Sequence, residues 1–148
     1  MRTLATARAC ALRIEDLIYR KSGLLGVSSG ISSDMRALRA SSDPAAREAI
    51  ALFIYRIVRE IGSLVAALGG LDAIVFAGGI GENDIKTRAE VVQGCQWLGA
   101  ALDPERNARG GGLISSAASS VAVWVVPTNE ELLIAQQTAT VLARPPNT

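Results

Sequence analysis

The sequence predicts an α/β protein built on a thin, largely parallel sheet, and three observations carry that reading. The run Ala73–Ala77 holds too few polar residues for a strand with one wet face, so it is expected as a central strand covered on both sides. A second apolar run, Val121–Val126, reads as another strand and stops at Pro127. Segments with apolar residues at helical spacing lie before, between and after the two runs, and such alternation favours a parallel sheet flanked by helices. With two or three strands, the sheet is small for this length.

In chain order, the spacing of Ile14, Leu17 and Ile18 predicts a first helix that Ser22 and Gly23 stop. The small-residue segment SGLLGVSSGISSD then reads as a loop, or as a strand edged by loops. Ser42, Asp43 and Pro44 form a helix start, with proline suited to the first turn, and apolar residues recur at Ile50, Phe53, Ile57, Ile61, Leu64 and Leu68. Gly69 and Gly70 supply the left-handed stop of that helix. After the first strand a helix is expected over Ile85–Trp97, followed by the loop DPERNARGGG. Past the second strand, Thr128 or Asn129 caps a last helix through about Leu142, and the tail RPPNT is expected to fray.

At 148 residues the chain is about one domain long, enough to bury roughly two thirds of the surface its unfolded form exposes. Fifteen basic and fourteen acidic residues, a formal charge of +1 and no long basic run point away from nucleic acid and from an anionic membrane, and towards a small-molecule partner. Cys10 and Cys95 lie far apart with no metal-ligand spacing, so both are expected reduced, in a cytoplasmic protein. Arg8 interrupts the opening MRTLATARACAL before a signal-peptide core forms, and no apolar run reaches membrane-spanning length.

Several motifs bear on chemistry. Gly26–Gly30 matches G-x-S-x-G, but a nucleophilic serine of that type needs a histidine to take its proton, and the chain has none. Gly78, Gly79 and Gly81 cluster at the carboxyl end of the first strand, where ligands of α/β sheets sit and where absent side chains admit a close approach; an ordinary tight turn explains them equally well. A dinucleotide pattern fails because Asp84 holds the third glycine position, and no Gly-Lys-Ser/Thr follows for a Walker A loop. Glu130 and Glu131 open the last helix, either as residues that complement its dipole or with one serving as a magnesium carboxylate. Arg36 is either a solvated helix residue or a contact to an anionic or aromatic ligand face.

The blocks SGLLGVSSGISSDMRAL, LFIYRIVREIGSLVAALGGLDAIVFAGGIGEN, WLGAALDPERN and VVPTNEELLIA, in that order, resemble the C-terminal region of the acetate kinase family. The resemblance implies an actin-like ATPase (ribonuclease H-like) fold, here a partial C-terminal domain. It divides the chain into an unassigned extension over 1–11, the family segment over 12–143 and a tail over 144–148. It also implies magnesium-dependent phosphoryl transfer between ATP/ADP and acetate or a similar short carboxylic acid, in a homodimer. Residue by residue, Asp34, Met35 and Arg36 match a segment lining the adenosine pocket, and Gly79, Ile80, Gly81, Glu82 and Asn83 match the nucleotide loop. Arg88 is expected to assist from the following helix, Glu130 matches a magnesium-associated glutamate, and Glu131 its capping neighbour. Ala77 stands where the family often has threonine. The family's substrate pocket, catalytic aspartate, transition-state histidine and arginine and β/γ-phosphate loop belong to upstream sequence, so the chain is expected to be a truncated portion, inactive alone. The alternative is a non-catalytic nucleotide-binding or dimerisation module.

Overall fold

The computed structural model describes residues 2–142; the side chains of residues 2–9 and of Glu130, and the tail over 144–148, lie outside the described residues. Helix α1 (Arg2–Arg20) is followed by α2 (Gly23–Val27), α3 (Met35–Ala40) and the long α4 (Pro44–Leu68). Asp43 caps α4 by accepting from the Ala45 amide at 2.8 Å, Pro44 occupies its first turn, and Gly69 ends it with φ 74°, as the sequence predicts. The segment SGLLGVSSGISSD differs from expectation. Its first half is the helix α2, and Ser28 is buried with its hydroxyl donating to the Leu25 carbonyl at 3.2 Å, so the G-x-S-x-G match presents no exposed nucleophile.

Strand β1 (Ala73–Phe76) leads into α5 (Gly78–Asn83) and α6 (Ile85–Gly94), and a short 3-10 turn over Gln96–Leu98 completes the helix expected to Trp97. The segment expected as the loop DPERNARGGG instead opens with α7 (Pro104–Arg109). Asp103 caps it, accepting from the amides of Glu105 and Arg106 at 3.0 and 3.1 Å, and Pro104 sits in its first turn, the same device that starts α4. The short β2 (Gly112–Leu113) follows, then β3 (Ala122–Val125) and α8 (Glu130–Leu142).

The sheet order is β1-β3-β2. β1 and β3 run parallel with Ala73 opposite Ala122 and Phe76 opposite Val125, and β2 pairs antiparallel with β3. Two features of β1 correct the expectation: β3 is the central strand, and β1 is an edge strand among the described residues. Ile74, Phe76, Val123 and Val125 are buried on one face, whereas Val75 and Trp124, register partners, are 57% and 40% exposed on the other. An apolar strand records a surface that needs cover, and here the chain's own helices cover one face.

That covered face is the main core, where Val91, Val92 and Cys95 of α6 meet the strands and α4 packs on with Ile54, Ile57, Val58 and Ile61. Each fully buried valine or leucine contributes about 1.5–3 kcal/mol. The approach of α6 to α4 needs Gly94, because a Cβ there would lie 2.6 Å from a methyl of Val58. A second cluster, Met35, Leu38, Ala46, Ala49 and Ile50, joins α3 to α4 and reaches Ile80 of α5. Among the described residues no helix is long and apolar enough to cross a membrane.

Candidate functional site

Two helices that are distant in sequence form the walls of one cleft at the carboxyl end of β1. The cleft, about 800 Å³, is lined by Asp34, Met35, Arg36 and Arg39 from α3 and its cap, and by Gly79, Ile80, Asn83 and Asp84 facing them. That volume lies in the range of small-ligand pockets. Of the nine residues matched to a nucleotide pocket, Asp34, Met35, Arg36, Gly79, Ile80 and Asn83 meet here, and Gly81, Glu82 and Arg88 lie behind the wall.

On the first wall Asp34 caps α3. Its carboxylate accepts from the Arg36 guanidinium at 3.0 Å and from the Arg36 amide at 2.8 Å, which hold its pKa below the ordinary carboxylate range. Arg36 remains 91% exposed at the rim, a guanidinium plane held by a surface ion pair. Met35 is buried and ties the wall to the core.

The second wall is α5, which makes the glycine cluster a short helix. Gly81 turns inward: a Cβ there would lie 3.3 Å from the Phe76 carbonyl carbon, so its close approach is to β1. Gly79 has open space where a Cβ would stand. Asn83 donates from Nδ2 to the Gly79 carbonyl at 2.9 Å.

Glu82 straps this wall to the segment after β3. Its Oε1 accepts from the Thr128 amide at 2.9 Å, the Thr128 hydroxyl at 2.8 Å and the Gly78 amide at 2.9 Å. The Thr128 bonds chiefly push its pKa below the ordinary value. Thr128 is therefore engaged by Glu82, and Asn129 caps α8, accepting from the Leu132 amide at 2.9 Å.

Arg88 is 1% exposed and every contact of its guanidinium is structural. It donates to Asn107 Oδ1 and to the Asn107 carbonyl, both at 2.7 Å, and to the carbonyls of Gly81 and Glu82 at 2.9 and 2.8 Å. Those bonds close the carboxyl end of α5, where helix carbonyls lack intrahelical partners.

Sequence reasoning missed the residues that hold the walls together. Arg39 donates to both oxygens of Glu90, at 2.8 and 2.5 Å, to Thr87 Oγ1 at 3.1 Å and to Asp84 Oδ2 at 3.3 Å. Asp84 caps α6 and also accepts from the Thr87 hydroxyl at 2.7 Å. Burial pushes the Asp84 carboxyl up, but the Thr87 bonds and Arg39 outweigh it, and the group ends below its ordinary value. The Asp84 cap has a local signal, an aspartate three residues before a threonine at a helix start. The reach from Arg39 to Glu90 has none.

A magnesium ion asks for one or two carboxylates beside retained waters and phosphate oxygens. Among the described residues no group of three histidine, cysteine, aspartate or glutamate side chains is placed to hold a metal, and Glu82 Oε1 is taken by three donors. Both cysteines are free, with Cys95 buried and its thiol pKa pushed up by that burial.

Comparison with known proteins matches these elements to solved enzymes. The family model described as the Acetokinase family matches residues 4–136. The acetate kinase of Rhodopseudomonas palustris (strain TIE-1) is 61% identical over 128 residues, covering 85% of this chain and 32% of that protein. The crystal structure of Porphyromonas gingivalis acetate kinase superposes with a TM-score of 0.75 at 41% identity, over 87% of this chain and 34% of that one. A propionate kinase from Francisella tularensis subsp. tularensis SCHU S4 gives 0.76 at 36% identity, over 85% of this chain and 33% of that one. The chain spans about a third of the length of the relatives it matches. The α/β, actin-like ATPase fold implied by the resemblance is the fold of these kinases, held here in part.

Proposed function

Because this chain belongs to the acetokinase family, we propose that it is the adenosine-holding part of a phosphotransferase that moves a phosphoryl group between ATP and acetate or a similar short carboxylate. The observation that carries the reading is the meeting of Asp34–Arg36 with Gly79, Ile80 and Asn83 in one cleft, although all of α4 and β1 separates them in sequence. Met35 and Ile80 offer apolar surface to a purine, the Arg36 plane suits stacking on an aromatic face, and Gly79 leaves room for the ligand. Glu82 and Arg88 keep that wall in place from behind.

Phosphoryl transfer is mostly positioning and charge neutralisation, with little covalent work for the protein. The share proposed for these residues is to fix the nucleotide so that its terminal phosphate is presented to the acid. Magnesium, when bound, neutralises charge on the phosphate oxygens. Glu130, at the start of α8 beyond the carboxyl end of β3, is proposed as its carboxylate; its side chain lies outside the described residues. If so, Glu130→Gln abolishes the gain in ATP affinity on adding magnesium while Glu131→Gln keeps it, and equal behaviour of the two refutes the assignment. The chain alone is proposed to form no measurable acyl phosphate, since it has no histidine for the transition-state role and losing one such donor typically costs about 10²–10³ in rate. Use of ATP and two free cysteines support a cytoplasmic setting, and a homodimer is part of the same reading. A non-catalytic dimerisation module is the second reading, favoured by apolar residues left exposed on α1 and α8.

Calorimetry with adenosine and ADP decides between the two. The parent chain is expected to bind both. Gly79→Val, whose Cβ meets nothing within 4 Å, is expected to weaken binding at least about tenfold, roughly 1.4 kcal/mol. A parent that binds neither nucleotide, or a variant that binds like the parent, refutes the adenosine reading.

A further inference from the structure

We propose that Arg39 is a positioning residue for the nucleotide, a pin between the two walls that fixes the width of the cleft. The inference rests on the adenosine reading and deepens it. Arg39 stands in the last turn of α3, the helix that carries Met35 and Arg36. All of its partners belong to α6 or its cap, the element that continues directly from α5 with Gly79, Ile80 and Asn83. The guanidinium therefore spans the gap between the walls at the edge of the cleft that it lines.

The chemistry suits a pin. Glu90 takes two parallel N–H donors from the fork of Arg39, a bidentate geometry that fixes orientation as well as distance, and Asp84 and Thr87 take the remaining directions. The Arg39 side chain is only 18% exposed, so solvent competes weakly for these bonds. Asp84 is itself fixed, since its carboxylate caps α6 and its amide donates to the Ile80 carbonyl at 2.8 Å. A shift of Arg39 thus displaces Asp84 and, with it, the end of α5. Arg39 also lines a second groove of about 610 Å³ with residues of α4 and α6, so its guanidinium stands between two clefts. A lysine delivers one point charge in place of the fork and cannot satisfy Glu90, Thr87 and Asp84 together.

A double-mutant cycle in adenosine binding, on the full 148-residue chain, tests the pin. Arg39→Lys and Glu90→Gln are each expected to raise the adenosine Kd about tenfold at unchanged stoichiometry, and the double variant to lose no more than either alone, because both remove one link. Thermal unfolding is followed in parallel, so that binding is compared only between folded proteins. A role confined to stability would lower the melting temperature while leaving Kd of the folded protein at the parent value, and that outcome overturns the pin. Multiplicative losses in the double variant overturn it as well. Should Arg39→Lys not fold, Glu90→Gln alone carries the test, and an unchanged Kd for it refutes the proposal. If the parent binds adenosine and Gly79→Val does not, an unaltered Arg39→Lys refutes the pin alone; if the parent fails to bind, both readings fall.

Discussion

Around α5 and α6 the chain satisfies its own polar groups, and on α1 and α8 it leaves its apolar ones uncovered. Arg88 bonds Asn107 at 2.7 Å, Arg39 bonds Glu90 and Asp84 at 2.5–3.3 Å, and no buried side-chain nitrogen or oxygen among the described residues lacks a partner. On α1, by contrast, Leu12, Ile14, Leu17, Ile18 and Tyr19 are all more than half exposed, as are Leu132, Leu133, Ile134, Val141 and Leu142 on α8. The polar groups of the cleft walls find partners within the described residues, whereas the terminal helices present apolar surface that these residues leave uncovered. Exposed apolar area of that kind marks an interaction surface or a liability to associate.

The largest expected effect breaks the self-sufficient half. Arg88→Met keeps the bulk of the side chain but strands four acceptors, the Asn107 side chain and the carbonyls of Asn107, Gly81 and Glu82. Unmet buried groups cost about 1–3 kcal/mol each, so a loss of about 3 kcal/mol or more is expected in denaturant unfolding. A loss below about 1 kcal/mol would show that water replaces the guanidinium easily and that the α5 wall does not depend on it.

The uncovered half should respond in the opposite way. The chain is expected to self-associate as concentration rises, through the terminal helices and the free edge of β1, which presents unpaired backbone groups. Leu17→Lys combined with Leu133→Lys, at positions 57% exposed in each case, is expected to lower the scattering mass severalfold towards the monomer and leave adenosine affinity unchanged. A parent that stays monomeric at every concentration would remove the contrast between the two halves.

The smallest effect sharpens the comparison inside the cleft walls. Glu82 and Asp84 have pKa values below their ordinary ones in the folded chain, so their contribution is fully present above the unfolded values and is lost as pH falls through the folded ones. Stability is therefore expected to fall below about pH 4, and Glu82→Gln to flatten part of that fall by weakening the strap to Thr128. Identical acid profiles for the variant and the parent would show that the strap adds nothing.

How much of this was legible depended on the range of the contacts. Asp43-Pro44 announced α4 because cap, proline and apolar period all lie within one stretch of chain. The equivalent Asp103-Pro104 was read as loop because six residues are too few to show a period and three glycines follow. Two-residue β2 carries no pattern at all. The cleft was legible only through the resemblance, which named its two walls; the residues alone left the glycine cluster open between a turn and a ligand loop. Sequence could not say which arginine faces out. Arg36 and Arg88 both followed apolar or capping neighbours, yet one is exposed at the rim and the other is sealed beneath the wall.

By itself the sequence determined the alternation of helices and strands, the start and stop of α4 and the two parallel strands, since propensity, capping and periodicity act over a few neighbouring residues. Only the tertiary structure decided that β3 lies at the centre of the sheet, that one face of β1 stays open and that Arg88 holds the wall from behind. It also decided that Arg39 reaches Glu90 across the cleft. Each of those outcomes is a contact between segments far apart along the chain, and their energies exist only once the backbone has brought the partners within hydrogen-bonding or van der Waals distance.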